Sequence, residues 1–343
     1  MNYKSSTPTS VGTGTKFDKK IWEDTIDLIK NENLKSHEII ENFILFLRRV
    51  NLSRFIAQYE VFKNCINVPG AIVECGVFKG QSLLTWAKLV EIYCAGDTFK
   101  KIIGFDTFSG FPNLNEKDGK INLNRDKVTG GFNSESFLPI LEKILDINQR
   151  DSMIPRFKRV ELVKGDVNKT IPEFVKEHSG MRISLLHIDL DIYEPTKTAL
   201  DHLYPLVSPG GVVILDEYGM ADFEGESLAF DEYFGENKPK IIKFPFTPTP
   251  GGYFIKEWIF ILIILWWWKK TLLLGYSTVR ISLAGGGTDM PEYYEKYGGN
   301  VVSTGIDKFT YVLIKSRDDN LFQAFSTNFE ISSSNFLVTG PWV

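Results

Sequence analysis

The chain has 343 residues, a formal net charge of −4 and 43% hydrophobic residues, enough apolar material for a sizeable core and too much for global disorder. The mild acidity comes with no basic stripe or tail, which argues against a nucleic-acid partner. Three cysteines (Cys65, Cys75 and Cys94) without CxxC spacing argue against a disulfide framework or a zinc site, and fit a reducing cytoplasm.

Residues 1–20 are polar, unlike a secretory signal, and a mobile arm is expected there. Over 21–64 apolar residues recur at three-to-four spacing (Ile26, Ile29, then Ile39, Ile40, Phe43, Ile44 and Leu47), the pattern of helices. This helical segment, 21–67, is expected to shape a substrate wall or a homodimer contact. Val68-Pro-Gly70 breaks the pattern and opens the main domain, 68–257.

Short apolar runs at 71–77, 101–106, 160–164, 183–189 and 211–216 then alternate with helical patterns at 81–92, 134–145, 171–177 and 195–206. Unbroken apolar runs separated by helices mark parallel strands covered on both faces, so the expected class is α/β, doubly wound. Two later runs, 240–246 and 251–257, joined across Thr247-Pro-Thr-Pro, read as a closing antiparallel hairpin. The polar stretch 111–132 fits no element, and a loop of that length reads as a substrate lid or as disorder.

The first strand runs into Glu74-Cys-Gly-Val-Phe-Lys-Gly80. Gly76 and Gly80 let a ligand approach the backbone beyond the strand's carboxyl end. Their G-x-x-x-G spacing is not the G-x-G-x-x-G of a pyrophosphate cradle, which suits S-adenosylmethionine better than NAD. Asp106 closes the second strand, where an acid can accept both hydrogen bonds of a ribose diol. Asp166 stands where a carboxylate can meet an adenine amino group, or simply starts the turn into the next helix.

Acids cluster at the two following strand ends: Asp189 and Asp191 after His187, then Asp216 and Glu217. Carboxylates converging there repel one another unless a cation neutralises them, and oxygen-only ligands select a hard ion such as Mg²⁺. Such an ion would hold and acidify a substrate hydroxyl. Asp191 or His187 would then serve as base, although a histidine inside a strand reads equally well as a hydrogen-bonded core residue.

Four stretches carry a resemblance: Val73-Glu-Cys-Gly-Val-Phe-Lys-Gly80, Gly104-Phe-Asp-Thr-Phe-Ser-Gly-Phe-Pro112, Asp189-Leu-Asp-Ile-Tyr-Glu-Pro-Thr196 and Ser208-Pro-Gly-Gly-Val-Val-Ile-Leu-Asp-Glu-Tyr218. They resemble the macrocin O-methyltransferase family, Mg²⁺-dependent sugar O-methyltransferases with relatives in surface-polysaccharide clusters. The resemblance implies a class I, Rossmann-like fold over roughly 53–256. It implies Glu74, Gly76 and Asp106 at S-adenosylmethionine, and Asp189, Asp216 and Glu217 at the metal. The family commonly has two aspartates where this chain has Asp216-Glu217.

Beyond lies the apolar junction 258–277, whose tryptophan-flanked run 258–268 is about half the roughly 20 apolar residues a bilayer-spanning helix needs. A buried strand or junction sequence is expected, with a membrane-surface anchor as the alternative. From Thr278, the stretch Val-Arg-Ile-Ser-Leu-Ala-Gly-Gly-Gly-Thr-Asp resembles the start of a GHMP-superfamily heptose-7-phosphate kinase. That superfamily's phosphate-wrapping loop would lie further along, so 278–343 is expected to be an inactive, fused fragment. The alternatives are an NAD-dependent oxidoreductase on the same fold, or a catalytically silent fusion.

Overall fold

The computed structural model describes residues 16–122 and 126–257, and four strand segments beyond them. The unbroken apolar runs become β1 (Ala71–Cys75), β2 (Ile102–Asp106), β3 (Val160–Lys164), β4 (Ile183–Ile188) and β5 (Val207–Leu215). These five lie parallel, and β6 (Gly252–Ile255) joins β5 antiparallel, in the order β3-β2-β1-β4-β5-β6. The α/β expectation stands. Every residue of β1 and β4 is buried, as parallel strands with covers on both faces must be.

Those covers come from different stretches of chain. Helix α4 (Arg49–Lys63) contributes Val61 and Phe62 to one face, with Leu83, Trp86 and Val90 of α5 (Gln81–Tyr93) and Leu141 of α6 (Leu138–Arg150). The other face takes Ile171 and Phe174 of α7 (Val167–Glu177), Leu200 and Leu203 of α8 (Tyr193–Leu203), and Phe230 of α9 (Glu224–Phe234). Full burial of a side chain of this size is worth about 1.5–3 kcal/mol. Helix α4 is therefore part of the core, and position 68 is a turn within the domain.

Upstream lie α1 (Lys16–Asn31), α2 (Ser36–Glu41) and α3 (Phe43–Phe46). Helix α1 starts inside the span expected to be an arm, and residues 1–15 lie outside the described residues. On α2 and α3, Ile40, Phe43, Ile44 and Leu45 are exposed.

The expected hairpin forms only in its second half: β6 pairs with β5, whereas Ile242 meets Tyr253 in an isolated bridge. Pro245 interrupts the first half and Pro239 directly precedes it, and a proline cannot donate to a ladder. The stretch 111–132 is more ordered than a bare loop. It holds a short helical turn, Glu116–Asp118, and buries Asp118 and Lys127. Asp118 accepts from the Tyr193 N–H at 2.6 Å, and Lys127 donates to the Asp222 carbonyl and, at 3.2 Å, to Glu224. Residues 123–125 lie outside the described residues.

The chain divides into two compact units near residue 258. In the second unit, β7 (Leu272–Ala284) pairs antiparallel with β8 (Val302–Lys315), and β9 (Leu321–Gln323) with β10 (Asn335–Leu337). The run 258–268 and the glycines at 285–287 lie outside the described residues. Among the described residues no helix is long and apolar enough to cross a membrane.

Candidate active site

From β1 the chain moves outward to β2 and β3, then returns to β4 on the other side of β1. That reversal leaves a crevice beyond the carboxyl ends of β1 and β4, the place where such sheets bind ligands. Gly76 lies at its floor with φ +95°, and a Cβ there would sit 1.7 Å from the Asp189 carbonyl oxygen. The two strand ends can approach only because residue 76 has no side chain. Gly80 precedes α5 in a left-handed conformation, φ +82°, but a Cβ there would meet Leu141 at 2.5 Å. Its glycine answers to helix packing as much as to a ligand.

Asp106 accepts from the Phe78 and Phe108 backbone N–H groups, both at 2.6 Å. Burial raises its pKa, against the pull of these N–H donors. It stands at the carboxyl end of β2, with one backbone N–H on each of its oxygens. Asp166 caps α7, accepting from the Asn168 N–H at 3.0 Å, which is the turn-starting alternative of the two expected for it.

Glu74 departs from expectation. It is fully buried, and its carboxylate accepts from Ser82 Oγ at 3.0 Å and Trp86 Nε1 at 2.8 Å, with His187 Nδ1 at 3.3 Å. Both oxygens are engaged inside the protein, so Glu74 supports the site from beneath. His187 departs too. Its other ring nitrogen lies 3.2 Å from Asp216, and the residue is 1% exposed. Burial disfavours a charge on His187, yet the hydrogen bonds to Asp216 and Glu74 outweigh it and push its pKa up to about 10. An imidazolium held between two carboxylates has no free lone pair with which to act as base.

The acids do converge. Ligand atoms of Asp189, Asp191 and Glu217 lie within 4.8 Å of one another, as do those of His187, Asp189 and Asp216. Strand β4 ends before Asp189, so simple alternation does not place Asp191; its left-handed backbone, φ +63°, does. Aspartate tolerates that conformation better than most residues. Burial, then the nearby Asp216 charge, pushes Asp191 up to about 7. For Asp216 the Arg54 and His187 cations overcome burial and hold it down at about 2. Burial and the neighbouring acids raise Glu217 well above the usual carboxylate range.

A hard divalent ion fits this set. The donors are oxygens, and Glu217 Oε2 is buried with no hydrogen-bond partner.

Two residues escaped sequence reasoning. Arg54 of α4 reaches Asp216 at 2.7 Å and Asp189 at 2.9 Å. Its signal is a polar stripe: Arg54 and the buried Gln58, one turn apart, on a helix whose Ala57, Val61 and Phe62 are in the core. Glu226, in the first turn of α9, is fully buried and accepts from the Glu217 N–H at 3.0 Å. Acids in a first turn usually answer to the helix dipole, which hid it.

Comparisons agree with this geometry. A sequence model described as Macrocin-O-methyltransferase (TylF) matches residues 48–240. An 8-demethyl-8-(2,3-dimethoxy-α-L-rhamnosyl)-tetracenomycin-C 4′-O-methyltransferase of Streptomyces olivaceus is 29% identical over 45% of this chain and 54% of its own. A mycinamicin III 3″-O-methyltransferase of Micromonospora griseorubida is 28% identical over 44% and 56%. The chain thus spans little more than half the length of these relatives. The crystal structure of a calicheamicin methyltransferase superposes with TM-score 0.66 at 29% identity, over 70% of this chain and 93% of its own. A second structure, of a TDP-rhamnose 3′-O-methyltransferase from calicheamicin biosynthesis, gives TM-score 0.59 at 28% identity, over 70% and 95%. With the family's model covering more than half of its length, and its acids gathered at the strand ends where the sequence put them, the chain belongs to the macrocin O-methyltransferase family.

Proposed function

We infer that the domain running from α4 through β6 transfers the methyl group of S-adenosylmethionine to a hydroxyl of a sugar or sugar-containing precursor, with Mg²⁺ held by the acids that follow β4 and β5, Asp189, Asp216 and Glu217. The observation that carries this reading is that Asp189, beside the glycine turn at Gly76, gathers with Asp191 and Glu217 in one group and with His187 and Asp216 in another. Mg²⁺, when bound, supplies a Lewis acid that lowers the pKa of an acceptor hydroxyl. Asp191 is the residue we assign to take the hydroxyl's proton: it stands beside Asp189 and Glu217, and burial and the Asp216 charge raise its affinity for a proton. Gly76, Gly80 and Asp106 line the cofactor side. The loop 111–132, tied down by Asp118 and Lys127, lies over the entrance to α8 and serves as the acceptor's wall.

The acceptor class rests on relatives whose names specify a rhamnosyl compound or TDP-rhamnose. The kinase-like residues after Thr278 support a surface-sugar or natural-product pathway, and the free cysteines a cytoplasmic setting. Isothermal titration with S-adenosylhomocysteine, with and without Mg²⁺, tests the cofactor reading: binding in both conditions is expected. Methyl transfer to a sugar acceptor should stop in excess chelator and return with Mg²⁺. Undiminished turnover in chelator would remove the metal from the reading.

A further inference from the structure

Asp216 has two carboxylate oxygens, and both face cationic donors. Oδ2 accepts from Arg54 Nη1 at 2.7 Å, and Oδ1 lies 3.2 Å from His187 Nε2. The second guanidinium nitrogen of Arg54 takes Asp189 Oδ2 at 2.9 Å. A guanidinium and a divalent cation drawn to the same pair of carboxylates repel one another and crowd the same space. The fork of Arg54 therefore occupies the space between two residues assigned to the metal. Glu217 is in the opposite state, buried with Oε2 unpartnered.

We propose that Arg54 is a built-in competitor of the metal ion, bridging Asp189 and Asp216 until the ion displaces it. The proposal rests on the metal reading above. Arg54 can move because it is not sealed in: its side chain is 20% exposed, and that of Asp189 23%, against 3% for Asp216. In the absence of an ion the guanidinium supplies the positive charge the cluster needs, which keeps five buried or half-buried acids (Asp189, Asp191, Asp216, Glu217 and Glu226) from repelling one another. Ion uptake at the Asp189, Asp191 and Glu217 group contends with Arg54 at Asp189, and recruiting Asp216 contends with it at both carboxylates. Because Arg54 belongs to α4, ion binding is coupled to the face of that helix turned toward the strand ends.

The test measures Mn²⁺ binding by the loss of the free-ion electron paramagnetic resonance signal, on the full chain, for wild type, Arg54→Gln and Arg54→Lys. Removing two charge-assisted hydrogen bonds that the ion must otherwise break should tighten binding roughly tenfold or more in Arg54→Gln. Arg54→Lys keeps the charge but cannot bridge two carboxylates, so it should also bind more tightly than wild type, by a smaller factor. S-adenosylhomocysteine affinity and circular dichroism establish that each variant is folded. Should Arg54→Gln prove misfolded, the lysine variant alone decides. Wild-type binding with equal or weaker binding in the folded variants would overturn the competitor and leave the metal reading intact. A lysine variant indistinguishable from wild type, beside a tighter glutamine variant, would reduce Arg54 to a bulk charge and overturn the bridging argument. No binding in any of the three would remove the metal reading and this inference together.

Discussion

Replacing Glu74 by alanine removes the acceptor of three buried groups: Ser82 Oγ at 3.0 Å, Trp86 Nε1 at 2.8 Å and His187 Nδ1 at 3.3 Å. Leaving a buried donor unpaired costs about 1–3 kcal/mol, and breaking a buried ion pair from one side about 3–5 kcal/mol. These penalties overlap rather than add, since His187 can escape the larger one by giving up its proton. A loss of about 3–5 kcal/mol is therefore expected for Glu74→Ala. Glu74→Gln keeps the shape and an acceptor for Trp86, loses only the charge opposite His187, and should cost about 1–2 kcal/mol. For a domain of this size each kcal/mol lowers the melting temperature by roughly 2–4 °C, so calorimetry should read about 6–20 °C for alanine and about 2–8 °C for glutamine. Titration of the glutamine variant with S-adenosylhomocysteine should give near-normal affinity. A Glu74→Ala melting temperature within about 2 °C of wild type would refute the energetic argument. A glutamine variant of normal stability with tenfold weaker ligand binding would make Glu74 a direct contact after all.

Asp191→Asn preserves the left-handed backbone at φ +63° while removing the proton acceptor; kcat for sugar methylation should fall about 10²–10⁴-fold with S-adenosylhomocysteine affinity retained. Gly76→Ala places a Cβ 1.7 Å from the Asp189 carbonyl oxygen at an unfavourable φ, and should lower soluble yield and melting temperature sharply; a well-folded alanine variant would contradict the close approach of β1 and β4. Stability of the chelated protein should depend on pH in two windows. The raised pKa of His187, about 10, stabilises the fold fully below its ordinary value near 6.5 and is lost as pH rises toward 10, while the depressed pKa of Asp216, about 2, stabilises above roughly pH 4 and is lost as pH falls toward 2. Melting curves across pH should show both declines, and His187→Gln should flatten the alkaline one.

What was legible in the sequence was what is local. Strands β1 to β5 announce themselves as unbroken apolar runs, and the acids of the site follow directly after β4 and β5. Gly76 was legible as a ligand turn, though part of its reason, the carbonyl of Asp189, comes from another strand. What escaped is set by partners far along the chain. Arg54 lies 135 and 162 residues from the carboxylates it bridges. Glu74 sits where the family resemblance implies a cofactor contact, yet Trp86 and His187, from α5 and β4, claim its oxygens. The hairpin failed for a local reason that was visible: its prolines weighed more than its apolar residues.

The hydrogen bond from the Tyr193 N–H to Asp118 joins the middle of the loop 111–132 to the first turn of α8, two residues beyond Asp191. That bond ties the bend at Asp191 to a residue 75 positions before Tyr193, so the conformation of Asp191 answers to the loop as well as to its own strand.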